Sequence, residues 1–356
     1  MTRSQIVRPA RRALFRLLRR AGLFERAADS AWRRARLQIL CYHGIAIADE
    51  HEWNNQLYMS PAMFRDRLDV LRRGRYTVLP LGEALERLRQ KTLPPRSVAL
   101  TFDDGEYGFY RHVVPLLRGY GYPATLYLTT YYCHYQRPVF DTGVAYVLWK
   151  SSRPAVDLGR LISGAPWLPL GTYAERRAAG LWIRDRANRS GLSGVAKDDL
   201  LHAIAREVGV DYDATFSSRL LTLVTPDEVR QVSGADVDVQ LHTHRHRTPD
   251  DCGAFVKEID DNRASIEAIL GPGSRTHFCY PSGVYRASFL PWLRRAAVAS
   301  ATTCDFGLAT SEDEPLLLPR LVDTGNISSL EFEAWLTGTA ALLPHRRPSL
   351  APRGRI

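Results

Sequence analysis

The chain has 356 residues, 45% apolar and 24% charged, the proportions of an ordinary globular protein long enough for one large α/β domain or two smaller ones. Its net charge of +10 belongs to the ends: residues 1–36 hold eleven arginines against Glu25 and Asp29, residues 345–356 hold four arginines and no acid, and the body between stands at −3. A mildly acidic body argues against a nucleic-acid groove, no apolar run approaches the length of a membrane-spanning helix, and the five scattered cysteines lack the spacing of a disulfide framework.

Residues 9–28, PARRALFRLLRRAGLFERAA, put Ala10, Leu14, Leu17, Leu18, Ala21, Phe24 and Ala28 at helical spacing among six arginines, which predicts a basic amphipathic helix. Such a helix either packs on its own domain or lies on an anionic leaflet. The arginines interrupt the apolar stretch that a secretory signal needs, so the expectation is a cytoplasmic protein, with peripheral contact at the inner face of the membrane as one reading of this segment. RLQILCYHGI then reads as a buried strand, Ser60-Pro61 as a helix start, and YTVLP as a strand followed by a helix over 81–89. SVALTFDDG, FYRHVVPLLRGYG and ATLYLTT continue as strand, helix and strand. The alternation implies a parallel sheet or barrel with helices outside. Residues 133–222 interrupt it with Pro/Gly-rich pieces and helix candidates at 173–188 and 197–208, an insertion on the barrel. It resumes with helices at 226–232, 254–270 and 288–297 and strands at 237–241, 276–280 and 299–303, and a last helix at 329–336. Three parts result: the basic helix of 1–36, a body at 37–340, and a basic, disordered tail at 341–356.

In parallel α/β folds the chemistry gathers at the carboxyl ends of strands. SVALTFDDG delivers Asp103 and Asp104 to such an end, and Gly105 lets the chain turn at once. Two adjacent carboxylates repel, so burying both requires a cation: one can ligate a metal while the other accepts a proton. DVDVQLHTHRH alternates, with Val237, Val239 and Leu241 on one face and Asp238, Gln240 and His242 on the other. Histidines follow at 244 and 246, and either solvated surface groups or metal ligands fit that pattern. One carboxylate with two imidazoles would leave coordination positions open, as at a catalytic metal site.

Together LTFDDG, HTHRH and FCYPSG resemble the signatures of the polysaccharide deacetylases, the NodB-homology group also called carbohydrate esterase family 4, in the branch whose third segment reads F-x-Y-P-x-G. The connecting segments VVPLLRGYGYPATLYL, TPDEVRQV, IDDNRASIEAILG and TTCDFG with its later LPR look similar too. The resemblance covers residues 37–340 apart from much of the insertion. It implies a distorted (β/α) barrel of about seven parallel strands. It also implies a hydrolase that removes acetyl, chiefly N-acetyl, groups from a saccharide or glycan precursor. Carried over by motif, Asp104, His242 and His246 become the ligands of a divalent metal, zinc, with His244 outside the set. Asp103 becomes the general base toward a metal-activated water, and the backbone N–H of Ser282 the oxyanion donor.

Two departures stand out. Many members orient the base with an arginine in the third motif and supply the general acid from a late Leu-x-His; here THFCYPSG has no such arginine and LLLPRLVDTG no histidine. Arg320 could replace the first electrostatically, and His43 in CYHG could supply the proton. An amidase of small non-sugar amides or ureides, and an inactive saccharide-binding module, remain as alternatives, although the intact Asp103, Asp104, His242 and His246 argue against the latter.

Overall fold

The computed structural model describes residues 3–234 and 236–343. The main sheet contains β1 (Gln38–Tyr42), β2 (Thr77–Val78), β3 (Ser97–Asp104), β4 (Ala124–Leu128), β5 (Val237–Leu241), β6 (His277–Cys279), β7 (Ser300–Thr302) and β8 (Leu321–Val322). Its order is β7-β6-β5-β4-β3-β1-β8, with β2 added alongside β3, and every pairing is parallel. All carboxyl ends therefore emerge at one rim. This is the α/β fold that the alternation implied, its sheet curled into a half-barrel. Residues 315–320 bridge the curl: Leu318 donates to Ala301 and accepts from Thr303, at 2.9 Å each, and the chain then runs straight into β8 beside β1.

The strands are nearly all buried because helices cover their outer face and side chains fill the inner one. Val237, Val239 and Leu241 join the main core with Leu100, Phe102 and Leu126, while Gln240 turns inward and donates to Asp238 and to the Ser274 carbonyl. The helix Pro61–Arg73 starts as its sequence dictates, with the Ser60 hydroxyl accepting from the Met63 N–H and Pro61 in the first turn.

Two expectations change. The helix expected over 9–28 is two, Arg3–Arg20 and Leu23–Ala28, because Gly22 adopts a left-handed backbone (φ 69°) that ends the first. The insertion contains a helix that periodicity did not reveal, Phe140–Lys150, packed with Tyr173–Arg189 and Gly194–Glu207 around Val144, Val147, Ile183, Leu201 and Ile204. It also contains a two-stranded antiparallel sheet, Ala155–Asp157 with Trp167–Pro169. Of the tail at 341–356, residues 344–356 lie outside the described residues. No helix among the described residues is long and apolar enough to cross a membrane.

Candidate active site

Asp103 and Asp104 close β3 and point to opposite sides of it. Asp104 has a left-handed backbone (φ 72°) and Gly105 another (φ 89°), so the chain leaves the sheet abruptly. Strain in a non-glycine residue costs free energy and survives only where the surroundings hold it. Three more such residues share the rim: Thr243 (φ 62°), His246 (φ 52°) and Ser282 (φ 55°).

His242 follows the last residue of β5, and His246 returns over it after three residues of loop. The Nε2 atoms of both lie 3.1 Å from Asp104 Oδ1, and the three ligand atoms lie within 4.8 Å of one another. His242 is locked from behind: its Nδ1 lies 2.9 Å from the Cys279 carbonyl, to which it donates in the tautomer that frees Nε2. Its backbone N–H donates to Asn262 Oδ1 at 2.9 Å, and Asn262 Nδ2 donates to the Leu128 carbonyl and Thr130 Oγ1, tying the ends of β4 and β5 together. Burial alone would raise the Asp104 pKa, but the two imidazoles outweigh it and hold it well below the ordinary carboxylate range. In return, burial would lower the His246 pKa, and Asp104 raises it. One carboxylate and two imidazoles, converging with one ring fixed by a carbonyl, suit a divalent ion with open positions. His244 is outside this set: its Nδ1 lies 2.8 Å from Thr130 Oγ1.

Asp103, on the inner side, is 2% exposed and gripped by Arg320, with Nη1 to Oδ1 at 2.8 Å and Nη2 to Oδ2 at 2.7 Å. Burial pushes its pKa up, yet the guanidinium prevails and holds it far below the usual range. Cys279 Sγ (3.2 Å) and Cys41 Sγ (3.4 Å) also face Oδ2, both thiols raised by burial. His43 Nε2 is 3.7 Å from the same oxygen and its side chain is 18% exposed, so it borders the base and reaches solvent. Ser282 stands exposed in the short turn after β6, three residues beyond the carbonyl that fixes His242. Beside Asp104, Glu106 accepts from Tyr58 Oη at 2.7 Å, and burial pushes its pKa up to about 8.

The fold thus assembles Asp103, Asp104, His242, His246 and His43 at one rim, with Ser282 on a neighbouring turn. Asn262 escaped the sequence reading, although a signal was present: it interrupts the stripe Phe255, Ile259, Ile266, Ile269 on the buried face of the helix Cys252–Leu270. Glu106 and its tyrosine left no pattern, because their pairing joins residues 48 apart.

A parallel half-barrel whose rim carries a metal-ready Asp-His-His set beside an arginine-bound aspartate defines a class of hydrolase folds, and comparison places the chain within it. The model of the family described as polysaccharide deacetylase matches residues 90–157 and 195–301, and the chain belongs to that family. A poly-beta-1,6-N-acetyl-D-glucosamine N-deacetylase of Escherichia coli K12 is 31% identical over 100 residues, which span 27% of this chain and 14% of that protein. Among solved structures, the deacetylase PplD of Streptococcus pyogenes, in complex with acetate, superposes with a TM-score of 0.55 at 18% identity over 85% of this chain and 98% of its own. IcaB from Ammonifex degensii gives 0.53 at 17%, over 85% and 97%. At these identities the two structures establish the fold.

Proposed function

We propose that the protein hydrolyses N-acetyl groups on a saccharide, using a divalent metal, zinc, held by Asp104, His242 and His246. The observation that carries this reading is the separation of the two carboxylates: Asp104 faces two imidazole Nε2 atoms at 3.1 Å, while Asp103 is paired with Arg320 on the other side of the strand. When bound, the ion supplies a Lewis acid for the acetyl carbonyl and acidifies water next to it. Asp103, kept ionised by Arg320, takes the proton of the attacking water. The Ser282 N–H donates to the oxygen that gains charge as the carbonyl carbon becomes tetrahedral. His43, bordering Asp103 and open to solvent, gives the departing amine its proton. The E. coli relative's name supports an N-acetylated hexosamine as the acceptor of this chemistry.

The test is acetate release from N-acetylglucosamine oligomers by zinc-loaded protein, against O-acetylated saccharides and ureides. Turnover of the N-acetyl substrates that is lost on chelation and restored by metal supports the reading; turnover of ureides alone would replace it.

The same proposal extends to the surface that the protein touches. In the helix Arg3–Arg20, Phe15 is buried while Leu14 (39% exposed) and Leu17 (64%) face outward beside Arg16 and Arg20. An apolar strip flanked by cations suits an anionic lipid surface.

A further inference from the structure

We infer that a tyrosine ledge beside the metal loop, Tyr131 and Tyr135, seats the sugar ring adjacent to the one that is deacetylated. The inference rests on the saccharide reading above and names the part of the substrate which that reading leaves unplaced.

The topology puts the ledge at the mouth. The turn Tyr131–His134 begins three residues after β4 ends and leaves the sheet at the rim that carries the metal ligands. Tyr131 is fixed to the metal loop itself: its N–H donates to the His244 carbonyl at 2.8 Å, and its ring meets the His244 imidazole edge-on, centroids 5.7 Å apart at 88°. His244 lies between the proposed ligands His242 and His246, so Tyr131 is one side chain removed from the reaction. The Tyr135 ring follows 5.1 Å from that of Tyr131, tilted by 35°, and remains 40% exposed.

Arg137, Lys197 and Asp198 of the insertion line the same cleft as the two tyrosines. Arg137 pairs with Asp198 at 2.6 Å, Asp198 also accepts from Tyr212 Oη at 2.7 Å, and Lys197 donates to Asn188. Each retains hydrogen-bonding capacity: a carboxylate has about four lone-pair sites and an ammonium three protons. A pyranose has apolar C–H faces and a rim of hydroxyls. Electron-rich aromatic faces attract its polarised C–H bonds, and a few fixed charges in the same cleft read its hydroxyls. A ledge serving only to pack the insertion would bury its rings, whereas Tyr135 keeps its outer part open to the cleft.

The experiment measures kcat and KM for acetate release from N-acetylglucosamine oligomers of one to five units, using wild type, Tyr135→Ala and Tyr135→Trp, with metal content as the control. The expected wild-type KM falls once a second unit is present. Tyr135→Ala should raise KM for the oligomers about fivefold, the scale of one aromatic contact, with kcat, the single-unit KM and bound metal unchanged; Tyr135→Trp should restore it. An unchanged oligomer KM in Tyr135→Ala, or an equal rise for the single unit, would overturn the inference. If the wild type releases no acetate from any oligomer while holding its metal, the deacetylase reading fails instead, and calorimetric titration with the same oligomers judges the ledge separately. Affinity that depends on Tyr135 keeps it, and absent or Tyr135-independent binding removes it.

Discussion

Asp103 and Asp104 are neighbours in sequence and opposites in setting, because a left-handed turn and the alternation of a strand aim them at different partners. Alanine at Asp104, His242 or His246 should reduce bound zinc, measured by elemental analysis after dialysis, from near stoichiometric to near zero. His244→Ala should leave it in place, since His244 bonds Thr130 and not the cluster. His43→Ala should lower acetate release at least tenfold without metal loss; a rate within a few-fold of wild type removes it as the acid. Arg320→Met leaves Asp103 as an uncompensated buried charge, a loss of about 3–5 kcal/mol. The pH dependence has a definite sign. In the wild type the Asp103 pKa is depressed in the folded state, so its stabilisation is complete above the unfolded value of about 3.9 and is lost as pH falls toward the folded one. In Arg320→Met burial is opposed only by the neighbouring His43 and His242 and is expected to raise it, so protonation favours the folded form and the deficit against wild type should narrow between pH 7 and 4. Thermal melts of the metal-free proteins over that range test this; a deficit that widens on acidification refutes the assigned pairing.

At the scale of elements, the strands that carry chemistry were legible because their side-chain period is two and their ends are polar: β3 and β5 follow directly from SVALTFDD and VDVQL. The helix Phe140–Lys150 was not, since it buries Phe140, Val144, Tyr146, Val147 and Leu148 on nearly every side and leaves no amphipathic period to read. The basic N-terminal helix was legible as a helix but not in its packing, which depends on residues three hundred positions away. Arg11 pairs with Glu331 at 2.5 Å, Arg19 with Glu333 at 3.2 Å, and Phe15 meets Phe24 edge-on at 6.3 Å. Deleting the segment would therefore uncover the core as well as remove charge. A cleaner test reverses the outward arginines: Arg16→Glu with Arg20→Glu should abolish salt-sensitive co-sedimentation with vesicles containing anionic lipid, while shifting stability by less than about 0.5 kcal/mol, as expected of exposed positions. Undiminished co-sedimentation would remove the lipid surface as the helix's partner.

Over the whole molecule, the rim of strand ends and the N-terminal helices occupy opposite ends of the sheet. Arg33, next to the helix Leu23–Ala28, donates to the carbonyl of Ser97, the first residue of β3, and Arg96 pairs there with Glu25 and Asp29. A helix resting on lipid would thus leave the metal mouth turned away from it. Because the metal set exists only in the folded chain, zinc at a hundredfold excess over its Kd should stabilise the protein by about 2.7 kcal/mol, read as a rise in melting temperature that a chelator reverses. What the sequence could not disclose at this scale is how the barrel's edges are joined, since that falls to residues 315–322, of which only two form regular strand. The same stretch brings in Arg320, and this orders events during synthesis. A ribosome has made Asp103, Asp104, His242 and His246 well before it adds residue 320, so all four precede the counter-charge of Asp103 in the nascent chain. The arrival of Arg320 closes the curl and brings that counter-charge to Asp103 in one step.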